Sequence, residues 1–493
     1  MELKFERRGI LYLKSLLQEV QAQEQTQELR LSDGMPDIGK ILGTWGQVIL
    51  RGKEWRGDSV ACNGGVMAFV LYEPEDGSGA RTMETWIPFQ MKWNLEDGQR
   101  NGEMRVQCLL RFLDARSVSP RKMMLRCGIS GRMEAYRPET AMAAVPGEVP
   151  EDVQLLKNRY PLRFPKAAGE KSFQLEESLP LPDVREIVAY NLTPRLSETR
   201  LLSGKLVLRG SGGLHVVYRN GAGKLESRDL EVPISQLAEP EGELGPDAQV
   251  NAVMAVTNLE AELGEENQLQ LKAGLLAQYV VDDREMLELV EDVYSPRRKV
   301  DPVREELELP RILEQKQVAV PVRQTLRQPA AQIADVTYLA DFPVLHRGEN
   351  LQAELPGSFQ VLYYDENGNL NTSMARTEEN WDMPLGENAR VDATVLPGAP
   401  PAASAGSGME LKGESLLSLQ TSARHGMEMV TGLKLGEMQE PAANRPSLIL
   451  RRAGDQALWD IAKSTGSTMD AIRQANALEG EPEEDRILLI PVS

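Results

Sequence analysis

The same landmarks recur in this chain at a single interval, and that interval narrows the folds open to it. Pro36-Asp37-Ile38-Gly39-Lys40-Ile41-Leu42 returns as Pro182-Asp183-Val184-Arg185-Glu186-Ile187-Val188, an offset of 146 residues. The same offset carries Gly64 to Gly210, Val70 to Val216 and Tyr72 to Tyr218 without a gap, and Met124-Leu125-Arg126-Cys127-Gly128 onto Gln270-Leu271-Lys272-Ala273-Gly274. A sequence that repeats at a fixed period folds into like units packed on their neighbours. A third, weaker copy has Phe359-Gln360-Val361-Leu362-Tyr363-Tyr364 in place of Phe69-Val70-Leu71-Tyr72, and its nearest opening is Ala334-Asp335-Val336. Leu155-Leu156-Lys157-Asn158-Arg159-Tyr160-Pro161 and Leu289-Val290-Glu291-Asp292-Val293-Tyr294-Ser295 read as a recurring tail. With domains of about 100–150 residues, three such units and a small remainder account for a chain of 493.

The repeats read as β-structure. Leu206-Val207-Leu208, Leu214 to Tyr218 and Phe359 to Tyr364 are short runs of Val, Leu and Tyr, the residues that suit a pleated, half-buried surface. Arg219-Asn220-Gly221-Ala222-Gly223 and Asp365-Glu366-Asn367-Gly368-Asn369 have the composition of hairpin loops, and Gly210-Ser211-Gly212-Gly213 is read as a further turn. The expected architecture is mainly β: three tandem β-sandwich-like repeats at 30–165, 166–306 and 307–436. Pro397 to Gly408 is read as a flexible loop inside the third, and 437–446 as a linker.

Two segments depart from that pattern. At the N-terminus Ile10, Leu13, Leu17 and Val20 recur at three- and four-residue steps, which predicts an amphipathic helix over 1–29 packed on the first domain. Lys14 interrupts its apolar run and Gln18 and Glu19 follow; no export signal of about 7–15 apolar residues is read there, nor a membrane span of ~20 anywhere. At the other end, 447–493 reads as a small α+β module of order βααβ. A strand at Leu448-Ile449-Leu450 precedes an Ala453-Gly454-Asp455 turn, and a helix carries Leu458, Trp459, Ile461 and Ala462. A second helix carries Met469, Ile472 and Ala475 and ends at Asn476, and a last strand runs Ile487 to Pro491. Asp455 is expected to cap the first helix and Ser467 or Thr468 the second. Trp459 is read as packing first and binding second.

The net charge of −19 disfavours nucleic acid and anionic membrane as partners. The three cysteines, Cys62, Cys108 and Cys127, lie in apolar contexts and give no disulfide framework or metal spacing; they read as small buried hydrophobes of a reducing compartment. His215, His346 and His425 are far apart in sequence without ligand spacing, and His215 alternates with apolar neighbours on a strand. No catalytic residue, cofactor or metal site is read, and an enzyme is not expected.

Strand, Gly-Asp turn, Leu-Trp-x-Ile-Ala helix, threonine-capped helix with a terminal asparagine and Leu-x-Ile-Pro strand resemble a LysM domain. Together with the P-D-I/V openings and tyrosine-ended strands, the chain resembles the SPOCS–LysM spore-morphogenesis proteins of spore-forming clostridia, among them the coat anchors. The resemblance implies a scaffold of the mother cell, cytoplasmic and placed at the forespore surface. Its LysM part would contact the ATPase of the coat basement. The binding residues expected on that basis are Gly454, Asp455, Gln456, Trp459, Ile472, Asn476 and Leu478, with Leu478 as an exposed apolar anchor. The alternative is a peptidoglycan-binding module gripping N-acetylglucosamine polymers. Against it, Gln456-Ala457 stands where LysM glycan binders have a single hydroxyl residue, and Glu479 to Asp485 places five carboxylates on the opposite loop, which suits a basic protein surface.

Overall fold

The computed structural model describes residues 1–96, 101–384, 386, 389–423, 426–439 and 446–492. It is mainly β. The chain opens with β1 (Glu2–Lys4), then β2 (Glu6–Arg30), β3 (Ile38–Arg56), β4 (Ser59–Pro74), β5 (Arg81–Asn94), β6 (Glu103–Ser119) and β7 (Lys122–Val145). Six more strands follow: β8 (Gln154–Pro180), β9 (Val184–Leu202), β10 (Lys205–Asn220), β11 (Leu225–Ala238), β12 (Gln249–Leu263) and β13 (Gln268–Tyr294). The third stretch holds β14 (Val300–Leu307), β15 (Ile312–Leu326), β16 (Gln332–Ala340), β17 (Val344–Arg347), β18 (Asn350–Tyr364) and β19 (Leu370–Pro384). It ends with β20 (Ala389–Pro397), β21 (Ala402–Ser404), β22 (Met409–Ala423) and β23 (Met427–Leu435).

One pairing scheme occurs three times. The second, third and fourth long strands form a meander, β3-β4-β5, β9-β10-β11 and β16-β18-β19, while the last strand pairs with the first and the fifth, as in β2-β7-β6, β8-β13-β12 and β15-β22-β20. In the first unit both sheets share one core, with Val60, Ile87 and Trp93 of the meander against Met123, Ile129 and Met133 of β7. The units are not strung out singly. A second core joins Trp45 and Phe69 of the first to Val188 and Leu214 of the second and to Ala334 and Leu362 of the third.

The first-to-last strand pairs run on beyond these cores as two-stranded ribbons, because β2, β7, β8 and β13 are 24 to 27 residues long. In the third unit the equivalent ribbon is split, β14 pairing with β23 after β15 pairs with β22. The three ribbons meet around Phe5, Ile10, Ala143, Phe164, Leu289, Leu307, Met429 and Leu433, and β1 closes the third by pairing with β23.

Several expectations require correction. Residues 6–30 are strand β2, not a helix: Ile10 and Tyr12 are buried while Leu11 between them is 66% exposed, a period of two. A bulge at Ser15–Leu17 switches which parity faces inward; the four residues of the helix-like spacing do not share a face, since Leu13 is buried beside Tyr12 while Val20 is 41% exposed. The boundaries at 165/166 and 306/307 cut through β8 and the end of β14, and strand pairing instead groups 6–145, 154–294 and 300–435. The two tail segments are not equivalent copies but partners, with Leu289 opposite Asn158 and Val293 opposite Leu155. The third opening begins at Gln328, six residues earlier than Ala334, since Ile333 lies 292 residues beyond Ile41 and Gln328 the same 292 beyond Pro36. Ile41, Ile187 and Ile333 stand opposite Tyr72, Tyr218 and Tyr363, so Ile333 takes the place of the motif isoleucine. Gly210 to Gly213 lie inside β10, not in a turn. A Cβ at Gly210 would collide with the Arg195 carbonyl, beside the bulge at Arg209–Gly210. The hairpin loops at Asn220 and Asp365 close as read, through Gly223 N–H to Asn220 O and Gly368 N–H to Asp365 O. Pro397 to Gly408 contains β21, paired with β22.

Candidate functional site

The C-terminal module consists of β24 (Leu448–Arg452), α1 (Leu458–Thr465), α2 (Met469–Asn476) and β25 (Ile487–Pro491), the two strands pairing antiparallel. Leu458, Ile461, Ala462, Ile472, Leu488 and Ile490 form its core, each fully buried. Gly454 takes the turn at φ +62, a left-handed conformation that costs glycine little. Thr468 caps α2, its hydroxyl accepting the Ala471 N–H at 3.1 Å. α1 is capped differently from expectation. Its N-cap is Ala457, which gives no side-chain bond, and the free Leu458 N–H is taken by Glu481 Oε2 at 2.7 Å. A carboxylate from the acidic loop therefore does what Asp455 was expected to do, because Gln456-Ala457 sets Asp455 two residues too far from the helix.

The seven candidate residues do not share one face. Gly454 N–H is bonded to the Glu484 carbonyl at 2.9 Å. Asp455 is exposed, and Gln456 accepts from the Arg451 guanidinium. Asn476 is a tie within the module: its side chain donates to the Ile472 and Leu489 carbonyls at 2.8 and 2.6 Å and accepts the Leu489 N–H at 2.8 Å. Ile472 is core, and Leu478 is half-buried against that core, so it is not the exposed anchor expected. Trp459 faces the β8–β13 ribbon. Its ring lies edge-on to Tyr294 at 4.7 Å, and its Nε1 donates to Asp292 Oδ2 at 2.8 Å, which also accepts from Lys463 at 2.6 Å. Burial alone raises the Asp292 pKa, but the bonds from Lys463 and Trp459 outweigh it and hold the carboxyl below its usual value. Tyr294 donates its hydroxyl to the Ser467 carbonyl at 3.0 Å. The α1 face is thus consumed in docking the module onto the β8–β13 ribbon.

The surface left outward is the sheet. Leu450, Ile487 and Leu448 are 69, 67 and 47% exposed; Leu450 lies opposite Leu489, and Ile487 opposite Arg452. Sequence reasoning passed over this face. Its signal was there, since Leu448-Ile449-Leu450 and Ile487-Leu488-Leu489-Ile490 are apolar at every position while a two-stranded sheet has only one covered side.

A second feature has no counterpart in the sequence reading. The second and fifth strands of all three units, with parts of β10, β11, β15 and β22, line a cavity of about 800 Å³ whose lining includes Gln47, Gln107, Arg195, His215, Lys316 and Glu414. At its edge three side chains tie the units together. Asp335, of the third unit, accepts from Trp45 Nε1 of the first at 2.8 Å and contacts His215 Nε2 of the second at 2.8 Å; Asp229 holds the other ring nitrogen at 2.8 Å. Burial works against a charged His215, yet the Asp335 and Asp229 carboxylates more than reverse this and lift its pKa to about 10. Nearby, Glu134 receives Arg105, Arg132 and Tyr136, and the two arginines continue to the Asn251 and Ala393 carbonyls of the other units. Despite its burial, Glu134 is held down at about 2 by those guanidiniums. His346 is exposed beside Glu354, and His425 lies outside the described residues.

Among the described residues no helix is long and apolar enough to cross a membrane. No family model, no curated protein and no solved structure matches the chain.

Proposed function

We propose that this protein is a non-enzymatic scaffold of spore-coat assembly, acting in the mother cell at the forespore surface. Its C-terminal module recruits the coat-basement ATPase, with the three-unit body behind it. The observation that carries the reading is the orientation of that module. Its tryptophan face is spent on Asp292 and Tyr294, while the opposite sheet face presents Leu448, Leu450 and Ile487 to solvent, with the Arg452–Asp485 ion pair at its edge. An apolar centre with a charged rim is the usual anatomy of a protein interface. The resemblance supplies the partner's identity, and the acidic 479–485 loop favours a partner surface with basic groups.

The peptidoglycan alternative has less support. The Gly454 and Leu458 N–H groups between the Gly-Asp turn and the 479–485 loop already have partners in that loop, leaving them unavailable to a neutral glycan. Two assays on the purified chain separate the readings: capture of the ATPase, and co-sedimentation with cell-wall sacculi. The scaffold reading expects capture by the whole chain, loss of capture by a chain ending at residue 446, and little pelleting. Pelleting with sacculi that is competed by N-acetylglucosamine oligomers, without capture of the ATPase, overturns it.

A further inference from the structure

We propose that Cys62 and Cys108 are an oxidisable pair, which a small peroxide entering the central cavity converts to a disulfide across the two sheets of the first unit. Their sulfurs are 4.0 Å apart although the residues belong to different sheets, Cys62 to β4 and Cys108 to β6. A disulfide needs about 2.05 Å between sulfurs, so the pair must close by roughly 2 Å, within the reach of side-chain rotation and a small backbone shift. The sheets approach closely at this point. Cys62 lies opposite Met91 and Cys108 opposite Gly131, and a Cβ on Gly131 would stand only 2.5 Å from Met91 Sδ. The corresponding positions of the second unit, 146 residues on, are Leu208 and Met254, which also pack together. The site is a core contact in both units, and only the first makes it with thiols.

Access and chemistry differ between the two sulfurs. Cys108 is half-buried and lines the central cavity, whereas Cys62 is 1% exposed. The hydrogen bond between them lowers the Cys62 pKa and raises that of Cys108, which suits Cys62 to the resolving step; the first step falls to Cys108 by its place at the cavity, and its thiol must lose its proton as it attacks. In the first step the Cys108 thiol gives up its proton and its sulfur attacks one peroxide oxygen. The O–O bond breaks, and the departing hydroxide takes a proton to become water, leaving a sulfenic acid on Cys108. The Cys62 thiolate then attacks that sulfur, the S–O bond breaks, and the second oxygen leaves as water. The two sulfurs are oxidised by two electrons in all, and one peroxide is reduced to two waters. Cys127 is buried, and its thiol is pushed up to about 11 by that burial; it stays outside the exchange.

The test treats the full chain with hydrogen peroxide, blocks remaining thiols under denaturing conditions, and maps unreduced peptides by mass spectrometry. The expected result is a Cys62–Cys108 linked peptide, lost on reduction, with Cys127 recovered alkylated. The thermal midpoint should rise by about 2–5 °C, because the bond closes a loop of 46 residues. Cys127→Ser should retain both effects, and Cys108→Ser should lose both. Recovery of Cys62 alkylated with Cys108 free or over-oxidised to a sulfinic acid overturns the proposal, as does a link from either residue to Cys127.

Discussion

Asp335 has no solvent-exposed surface, and it holds side chains from both other units. Replacing it with alanine leaves the buried Trp45 N–H without its acceptor and His215 with Asp229 as its one remaining carboxylate partner. Breaking a buried pair from one side costs about 3–5 kcal/mol; Asp335→Ala should therefore lower the urea midpoint sharply, and an unchanged midpoint would remove the three-way tie from the account. The pH dependence has a definite sign. A histidine whose pKa rises to about 10 on folding contributes stability that is complete below its unfolded value of about 6.5 and is lost as pH climbs through 10. Asp282 is a second residue-scale case. It is 1% exposed, its Oδ2 accepts from Gln315 at 2.5 Å and its Oδ1 has no partner, and burial raises its pKa to about 7. An acid raised on folding stabilises below its unfolded pKa near 4 and loses that contribution as pH rises through 7. Asp282→Asn should flatten the stability curve between pH 4 and 7 and make the protein more stable than the parent at pH 8. Equal slopes in the two proteins would contradict the buried, proton-binding role.

Among the elements, β2 is the sharpest test. Among the described residues it pairs with β7 alone, so only every second amide of Glu6–Arg30 is bonded into the ladder. Hydrogen exchange should show alternating protection that changes parity at the Ser15–Leu17 bulge; continuous protection over three or more turns would restore the helix. The sequence misled here for a physical reason. Leu13 is buried beside Tyr12 and Val20 is an exposed apolar residue, so the apolar spacing did not follow one face of the strand, and the Gln- and Glu-rich half of β2 has only Val20 and Thr26 as β-branched residues in place of the Val-, Leu- and Tyr-rich runs that marked β10 and β18. Asn-Gly chemistry, by contrast, is local, so the loops at Asn220 and Asp365 were legible. In the C-terminal module, order and caps were legible apart from Asp455, whose role passed to Glu481 through a contact 23 residues away. Which of the expected residues are left free was not legible, because a resemblance places residues on a motif without saying which face the rest of the chain covers. Trp459 is decided by Asp292, 167 residues earlier. Asp292→Ala should leave the module folded but release it from the body: the separately made module should bind the chain ending at residue 439 at least tenfold more weakly when Asp292 is replaced. Equal binding would mean that the docking rests on other contacts.

For the whole molecule, three units of one pairing scheme close around a shared cavity, and their ribbons converge on a common core that presents the C-terminal module with one face occupied and one free. On the scaffold reading proposed above, the contact surface lies on the small unit, at the free sheet face of Leu448, Leu450 and Ile487. The measurement that bears most directly on this is an equilibrium titration of the coat-basement ATPase with the full chain and with Leu450→Asp and Ile487→Asp, alongside thermal melts of each. Both residues are more than half exposed, so both variants should melt like the parent. The expected result is a loss of affinity of at least tenfold, about 1.4 kcal/mol, in each. Undiminished affinity in both folded variants would contradict the assignment of the free sheet face as the partner's seat.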